Sequence, residues 1–203
     1  MTYEGRRARA RTAEPAAADT VADALSVKIV VAGGFGVGKT TLVGSVSEIE
    51  PLRTEATMTD ASTPTDDLSM LPSKRTTTVA MDFGRITIAT DLVLYLFGTP
   101  GQNRFWFMWD DITRGAIGAV VLVDSRRLAE SFGAVDYMEQ RQVPFVVALN
   151  AFDGVQQHEV EDVRDALQLG SEVPFVVTDA REREAVKQVL VTLVDHAMTL
   201  AET

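Results

Sequence analysis

Residues 33–40 read GGFGVGKT and fit the pattern G-x-x-x-x-G-K-[ST]. They follow the strand-like run SVKIVVA and precede the helical run TLVGSVS, the flanks that this motif requires. Glycines let such a loop wrap a phosphate with backbone N–H groups, here those of Gly33, Gly36, Val37 and Gly38. The N–H groups of Lys39, Thr40 and Thr41 open a helix whose positive dipole end adds to the attraction. In phosphoryl chemistry the lysine of this pattern reaches the β/γ oxygens and the hydroxyl beside it binds Mg²⁺, which assigns those tasks to Lys39 and Thr40.

Two further groups sit at the ends of later apolar runs. After VPFVVALN, Asn150 and Asp153 stand in the order of a guanine-reading N-K-x-D motif, with Ala151 where the lysine belongs. Asp153 offers acceptors to the ring N–H and the exocyclic amine of guanine, a pairing that adenine cannot supply. The competing reading is that Asn150 and Asp153 cap a turn. After VPFVVTD, Asp179 and Ala180 lie where such proteins carry a turn whose backbone N–H meets the guanine oxygen.

A third group follows LVLYLFG, as Thr99-Pro100-Gly101-Gln102. The preceding TVAMDFGRITI and LVLYLFG read as strands joined by a tight turn near Ala89 and Thr90. Depending on the turn, Asp82 faces residue 97 or 99 and so lies beside Gly98. With no side chain at Gly98, the Asp82 carboxylate has room to approach a metal's water shell, and Mg²⁺ needs few direct carboxylates. A plain edge-strand residue facing solvent is the alternative.

The elements that must position these groups alternate along the chain. Apolar runs of strand length, nearly continuous in valine, leucine and isoleucine, suit a parallel sheet covered on both faces. Between them lie segments of helical period, the last a stripe of Val186, Val189, Leu190, Leu193, Val194 and Ala197. The pattern predicts an α/β layered sandwich. Residues 48–76, rich in Pro, Ser, Thr and Asp, predict a mobile loop, and residues 1–24, Ala-rich and polar, a disordered tail before a domain spanning 25–203. Phe105-Trp106-Phe107-Met108-Trp109 cannot all enter one core from a helix, so part of this run should be exposed as a partner surface.

Composition bounds the class. The chain has 203 residues, 46% of them hydrophobic and 24% charged, which suits a globular domain. A net charge of −10 repels nucleic-acid phosphates and anionic lipid, so nucleic acid is excluded as an expected partner. No run approaches the ~20 apolar residues of a membrane span, and there is no cysteine to carry a disulfide or lipid anchor. A cytoplasmic protein is expected, without direct membrane insertion.

Through GGFGVGKTT, TTTVAMDFG, LYLFGTPGQ, LNAFD and TDAR, residues 26–200 resemble the Ras-like small GTPases. The resemblance points to the bacterial MglA-type branch and is strongest to conservon-type GTP-binding proteins. It implies a P-loop three-layer sandwich with a mainly parallel six-stranded sheet and one antiparallel edge strand. Bound GDP or GTP with Mg²⁺, two switch segments and slow hydrolysis are implied as well. So are a roadblock-type regulatory partner and a sensor-kinase-like membrane complex.

In that pattern the second switch reads D-x-x-G-Q. Gly98 takes the acid's place, Gly101 and Gln102 match, and Gln102 would orient the attacking water. KRTTTVA resembles the first switch, giving Thr78, or else Thr77, the Mg²⁺-binding hydroxyl. Arg75 is either an arginine finger supplied in cis or a surface residue. Phe35 replaces a glycine of the phosphate loop, where its ring either crowds Gln102 or packs against the first switch. Gly98, Ala151 and Phe35 together also suit a nucleotide-locked scaffold, and the weakened base motif leaves an ATP-using P-loop protein as a third reading.

Overall fold

The computed structural model describes residues 24–58, 77–152 and 158–202, with the backbone alone at 53–58, 77–80, 103 and 104. Residues 1–23 of the expected N-terminal tail, residues 59–76 of the expected loop with Arg75, and Asp153 lie outside the described residues.

The apolar runs form strands β1 (Leu25–Ala32), β4 (Leu92–Gly98), β5 (Ala116–Val123), β6 (Phe145–Asn150) and β7 (Phe175–Thr178). These pair in parallel in the order β4-β1-β5-β6-β7, and β3 (Thr77–Ala89) runs antiparallel along β4. That is the expected six-stranded, mainly parallel sheet. A seventh strand, β2 (Leu52–Met58), pairs antiparallel with the outer side of β3, so part of the expected loop is a strand. Its sequence, LRTEATM, has apolar residues only at Leu52, Ala56 and Met58, a weak period-two signal overshadowed by the prolines and polar residues around it.

Both sheet faces are covered, which is why the central strands carry little polarity. In β1, Ile29 and Val31 face α1 (Lys39–Val46) and α5 (Arg183–Ala201), packing with Leu42, Val46, Leu190 and Leu193. Val30 and Ala32 face the other layer, where Trp109 of α2 (Trp109–Thr113) and Met138 of α3 (Phe132–Gln140) pack near Val163 of α4 (Val160–Ala166). Within the stripe expected as core on α5, Val186, Val189, Leu190, Leu193 and Ala197 are buried.

Two 3₁₀ segments complete the chain, Asn103–Met108 after β4 and Ser125–Glu130 after β5. The aromatic run splits as its spacing demands. Phe105 and Trp109 enter the interior, the latter 1% exposed, whereas Phe107 is 60% exposed. Among the described residues no helix is long and apolar enough to cross a membrane.

Candidate functional site

Parallel strands all end at one edge of the sheet, and the loops that leave their ends carry the chemistry-bearing residues. β1 ends into the phosphate loop, β4 into Thr99-Pro100-Gly101, β6 into Ala151 and β7 into Asp179. The expected groups of residues 33–41, 98–102, 150 and 179–180 are therefore neighbours because of strand direction.

The loop residues Gly33 to Gly38 lead directly into α1. Gly38 adopts φ +108, a left-handed conformation, and a Cβ there would meet Asn150 Nδ2 at 2.8 Å, so glycine is required on both counts. Lys39 is only 8% exposed. Its ammonium donates to the Gly33 and Gly34 carbonyls at 2.9 and 2.7 Å. Burial pulls its pKa down to about 8, against the raising effect of Asp82 and Glu130.

Opposite the loop, the hairpin register is settled by an irregularity between Thr87 and Ala89. The two-residue connection at Thr90 and Asp91 alone would give an odd-sum register, but the shift near Ile88 moves the pairing by one residue. Asp82 consequently pairs directly with Gly98. A Cβ at Gly98 would sit 3.1 Å from Asp82 Cβ and 3.2 Å from Oδ2, so the carboxylate occupies the side of the ladder that Gly98 leaves open. From there Asp82 Oδ2 accepts the Thr40 hydroxyl at 2.5 Å. The hydroxyl and carboxylate singled out for metal binding, from elements 42 residues apart, thus touch.

A cleft of about 390 Å³ opens here, lined by Phe35, Lys39, Thr40, Asp82, Thr99 and Gly101 among others. Gly101 lies close over the loop, since a Cβ on it would meet Lys39 Nζ at 2.7 Å. Gln102 is half-buried at the start of the Asn103–Met108 segment and is not among the lining residues. Phe35 is 62% exposed, its ring mostly in solvent. A larger cavity, about 1030 Å³, lies at the opposite end of the sheet between Leu25, Leu92 and Met198, away from the loops that carry the chemistry.

Three polar features were not singled out in the sequence. Thr99 is 3% exposed, and its hydroxyl has no hydrogen-bond partner among the described residues, although it lines the cleft. Its position beside Gly98 in a recognised motif was the available signal. The Asp124 carboxylate, at the end of β5, accepts Arg126 Nε and Nη2, both at 2.8 Å, and these bonds hold its pKa low against the opposing effect of burial. Arg127, next along, forms 3.5 Å ion pairs with Asp124 and Glu130. The acid at a strand end followed by two arginines, VLVDSRR, was legible but has no standing motif.

At the end of β6, buried Asn150 ties three loops together. Its Nδ2 donates to the Val37 carbonyl and its Oδ1 accepts the Ala180 N–H, both at 3.0 Å. The Asp179 carboxylate is bound by Arg181, which keeps its pKa low. Thr78 is placed by its backbone in β3, opposite Thr57 of β2.

No cluster of three or more His, Asp or Glu side chains capable of holding a metal occurs among the described residues. Mg²⁺ does not need one, because it keeps several waters and takes one or two protein oxygens beside substrate phosphates. The Thr40 and Asp82 oxygens, with the orphaned Thr99 hydroxyl in the same cleft, fit that donor set.

Comparison with known proteins places this site in a wider group. Residues 31–200 match the family model described as conserved hypothetical ATP binding protein. An uncharacterized protein of Methanocaldococcus jannaschii is 31% identical over 129 residues, 63% of this chain and 71% of that one. The cytosolic domain of the T. maritima FeoB iron transporter, solved in apo and GDP forms, superimposes with TM-scores of 0.60 and 0.61 at 17% and 18% identity. The matches cover 85% and 86% of this chain, which spans 64% of the length of that domain. The G domain of the same transporter alone gives 0.59 at 18% identity, over 85% of this chain and 99% of that one. The chain therefore has the P-loop fold of a G domain, and it belongs to the family of conserved hypothetical ATP-binding proteins.

Proposed function

We propose that the cleft binds a guanine nucleotide with Mg²⁺ and that the protein is a GTP-binding switch that hydrolyses GTP slowly. The observation that carries this reading is the contact between Thr40 and Asp82 beside a buried Lys39, opposite the acid-less Gly98. Lys39 supplies a cation for the β/γ oxygens, and its ammonium donates to two loop carbonyls that phosphate oxygens would replace. Thr40 and Asp82, with Thr99, would hold Mg²⁺ and its waters, and the ion's chemistry is to neutralise charge on the phosphates. Gln102 orients the attacking water and Arg75 or a partner supplies the second cation. Thr78 adds a further oxygen from β3, and Asp153 reads guanine while Asn150 sets the distance between loop and base.

Slow turnover is supported by Phe35, which stands in the phosphate loop and lines the cleft. The sequence resemblance supports an MglA-type or conservon-type switch, cytoplasmic, that meets a roadblock-type regulator and through it a sensor-kinase-like membrane complex. Exposed Phe107 beside the second switch is the surface such a partner would sense.

A second reading, an ATP-using protein, is favoured by the description of the family and by Ala151 in place of the base-packing lysine. The test of the leading reading is nucleotide affinity with and without Mg²⁺ in the wild type and in Asp82→Ala. A nucleotide affinity that rises with Mg²⁺ in the first and not in the second is the expected outcome. Equal Mg²⁺ dependence in both would remove Asp82 from the site.

A further inference from the structure

Arg127 is a cation placed against the phosphate loop, and the roles given to Lys39, Thr40 and Asp82 do not include it. A Cβ built on Gly36 would lie 3.4 Å from Arg127 Nη2 and 3.8 Å from Nη1, so the guanidinium faces the open side of that glycine. Its backbone leaves the 3₁₀ segment at φ −138 and ψ 46, which turns this one residue out of the helical path. The segment is anchored by the nearly buried Asp124, whose carboxylate grips Arg126. Arg126 in turn stacks 4.0 Å over the ring of Phe152, so the segment lies between the phosphate loop and the tip of β6 that carries Ala151. Both ion pairs of Arg127 are long, at 3.5 Å, and its side chain is half-exposed, so it can exchange a carboxylate for another anionic or polar oxygen at small cost.

We propose that Arg127 is a nucleotide-binding residue: its guanidinium, beside Gly36, contacts the nucleoside side of the bound ligand and supplies the flat cation that Ala151 cannot. An arginine is suited to this position because its planar group both stacks on a base and donates to ribose or phosphate oxygens. Glu130 acts as its resting partner, released when the ligand arrives. This rests on the nucleotide reading of the cleft.

The experiment measures binding of guanosine diphosphate and guanosine triphosphate, with adenosine diphosphate alongside, to the full chain and to Arg127→Ala, Arg127→Lys and Glu130→Gln. Arg127→Ala should weaken the preferred diphosphate about tenfold. It should weaken the triphosphate by the same factor, because the contact is on the nucleoside side. Arg127→Lys should recover part of the loss, and Glu130→Gln should hold or raise affinity by freeing the guanidinium. Arg127→Ala within twofold of the wild type overturns the proposal, as does a fall in both Arg127→Ala and Glu130→Gln, which would mark a structural ion pair. Wild-type protein that binds none of the three nucleotides overturns the reading of the cleft and this inference with it.

Discussion

At the scale of single residues, the informative contact is between a carboxylate on β3 and the hydroxyl that opens α1. Gly98 stands where a switch acid is expected, and Asp82, its partner across the ladder, reaches the Thr40 hydroxyl instead. Mutation of metal-supporting groups typically costs about 10–100-fold in affinity, so Asp82→Ala should lose Mg²⁺-dependent nucleotide binding in that range while Asp91→Ala does not. Gly98→Asp in the wild type would press a second carboxylate onto Asp82, with its Cβ 3.1 Å from that of Asp82, and should bind worse. In the Asp82→Ala background the same change should restore part of the loss. Isothermal titration of the four proteins checks the cycle, and failure of the second acid to rescue would separate Asp82 from the metal. The phosphate loop was legible because its residues are contiguous. Asp82 was legible only as lying beside Gly98, because the irregularity near Ile88 that sets the final register leaves no mark in the sequence. Thr99 was illegible as an orphaned hydroxyl, since burial without a partner is a property of the packed cleft.

Among the elements, Asn150 and Asp124 do the positioning from the ends of β6 and β5. Asn150→Ala would leave the Val37 carbonyl and the Ala180 N–H unpaired in the interior. Each such group costs about 1–3 kcal/mol, so denaturant unfolding should show a loss of about 2 kcal/mol or more. A loss under about 0.5 kcal/mol, the scale of an ordinary surface change, would mean the loops hold themselves. Asp124 makes a pH prediction. Its folded pKa is depressed by Arg126, so the unfolded state binds the proton more readily below the ordinary carboxylate pKa of about 3.9. The stabilisation is present above that value and is lost as pH falls through the lower folded one. Asp124→Asn should therefore be less stable than the wild type at pH 7 and show a flatter acid limb; parallel limbs would contradict the assignment. The strands of the parallel sheet were readable from apolar runs, but β2 was not, because its seven residues, of which only Leu52, Ala56 and Met58 are apolar, lie among prolines and Ser, Thr and Asp residues that favour a loop. Nor was the place of the Ser125–Glu130 segment against the phosphate loop, which depends on how β5 ends in space.

For the molecule as a whole, the sheet brings the ends of its five parallel strands to one edge, and the question there is which nucleotide that edge holds. The family description speaks of ATP, whereas the order of Asn150, Asp153 and the Asp179–Ala180 turn speaks of guanine. The apolar groove at the other end of the sheet does not bear on the choice. The direct measurement is calorimetric titration of nucleotide-stripped protein with GDP and with ADP in the presence of Mg²⁺. Adenine would leave the Asp153 carboxylate without its two donors, at about 1–3 kcal/mol for each unpaired group. The account predicts that GDP binds at least about tenfold more tightly than ADP, and equal affinities, or tighter ADP, would contradict it.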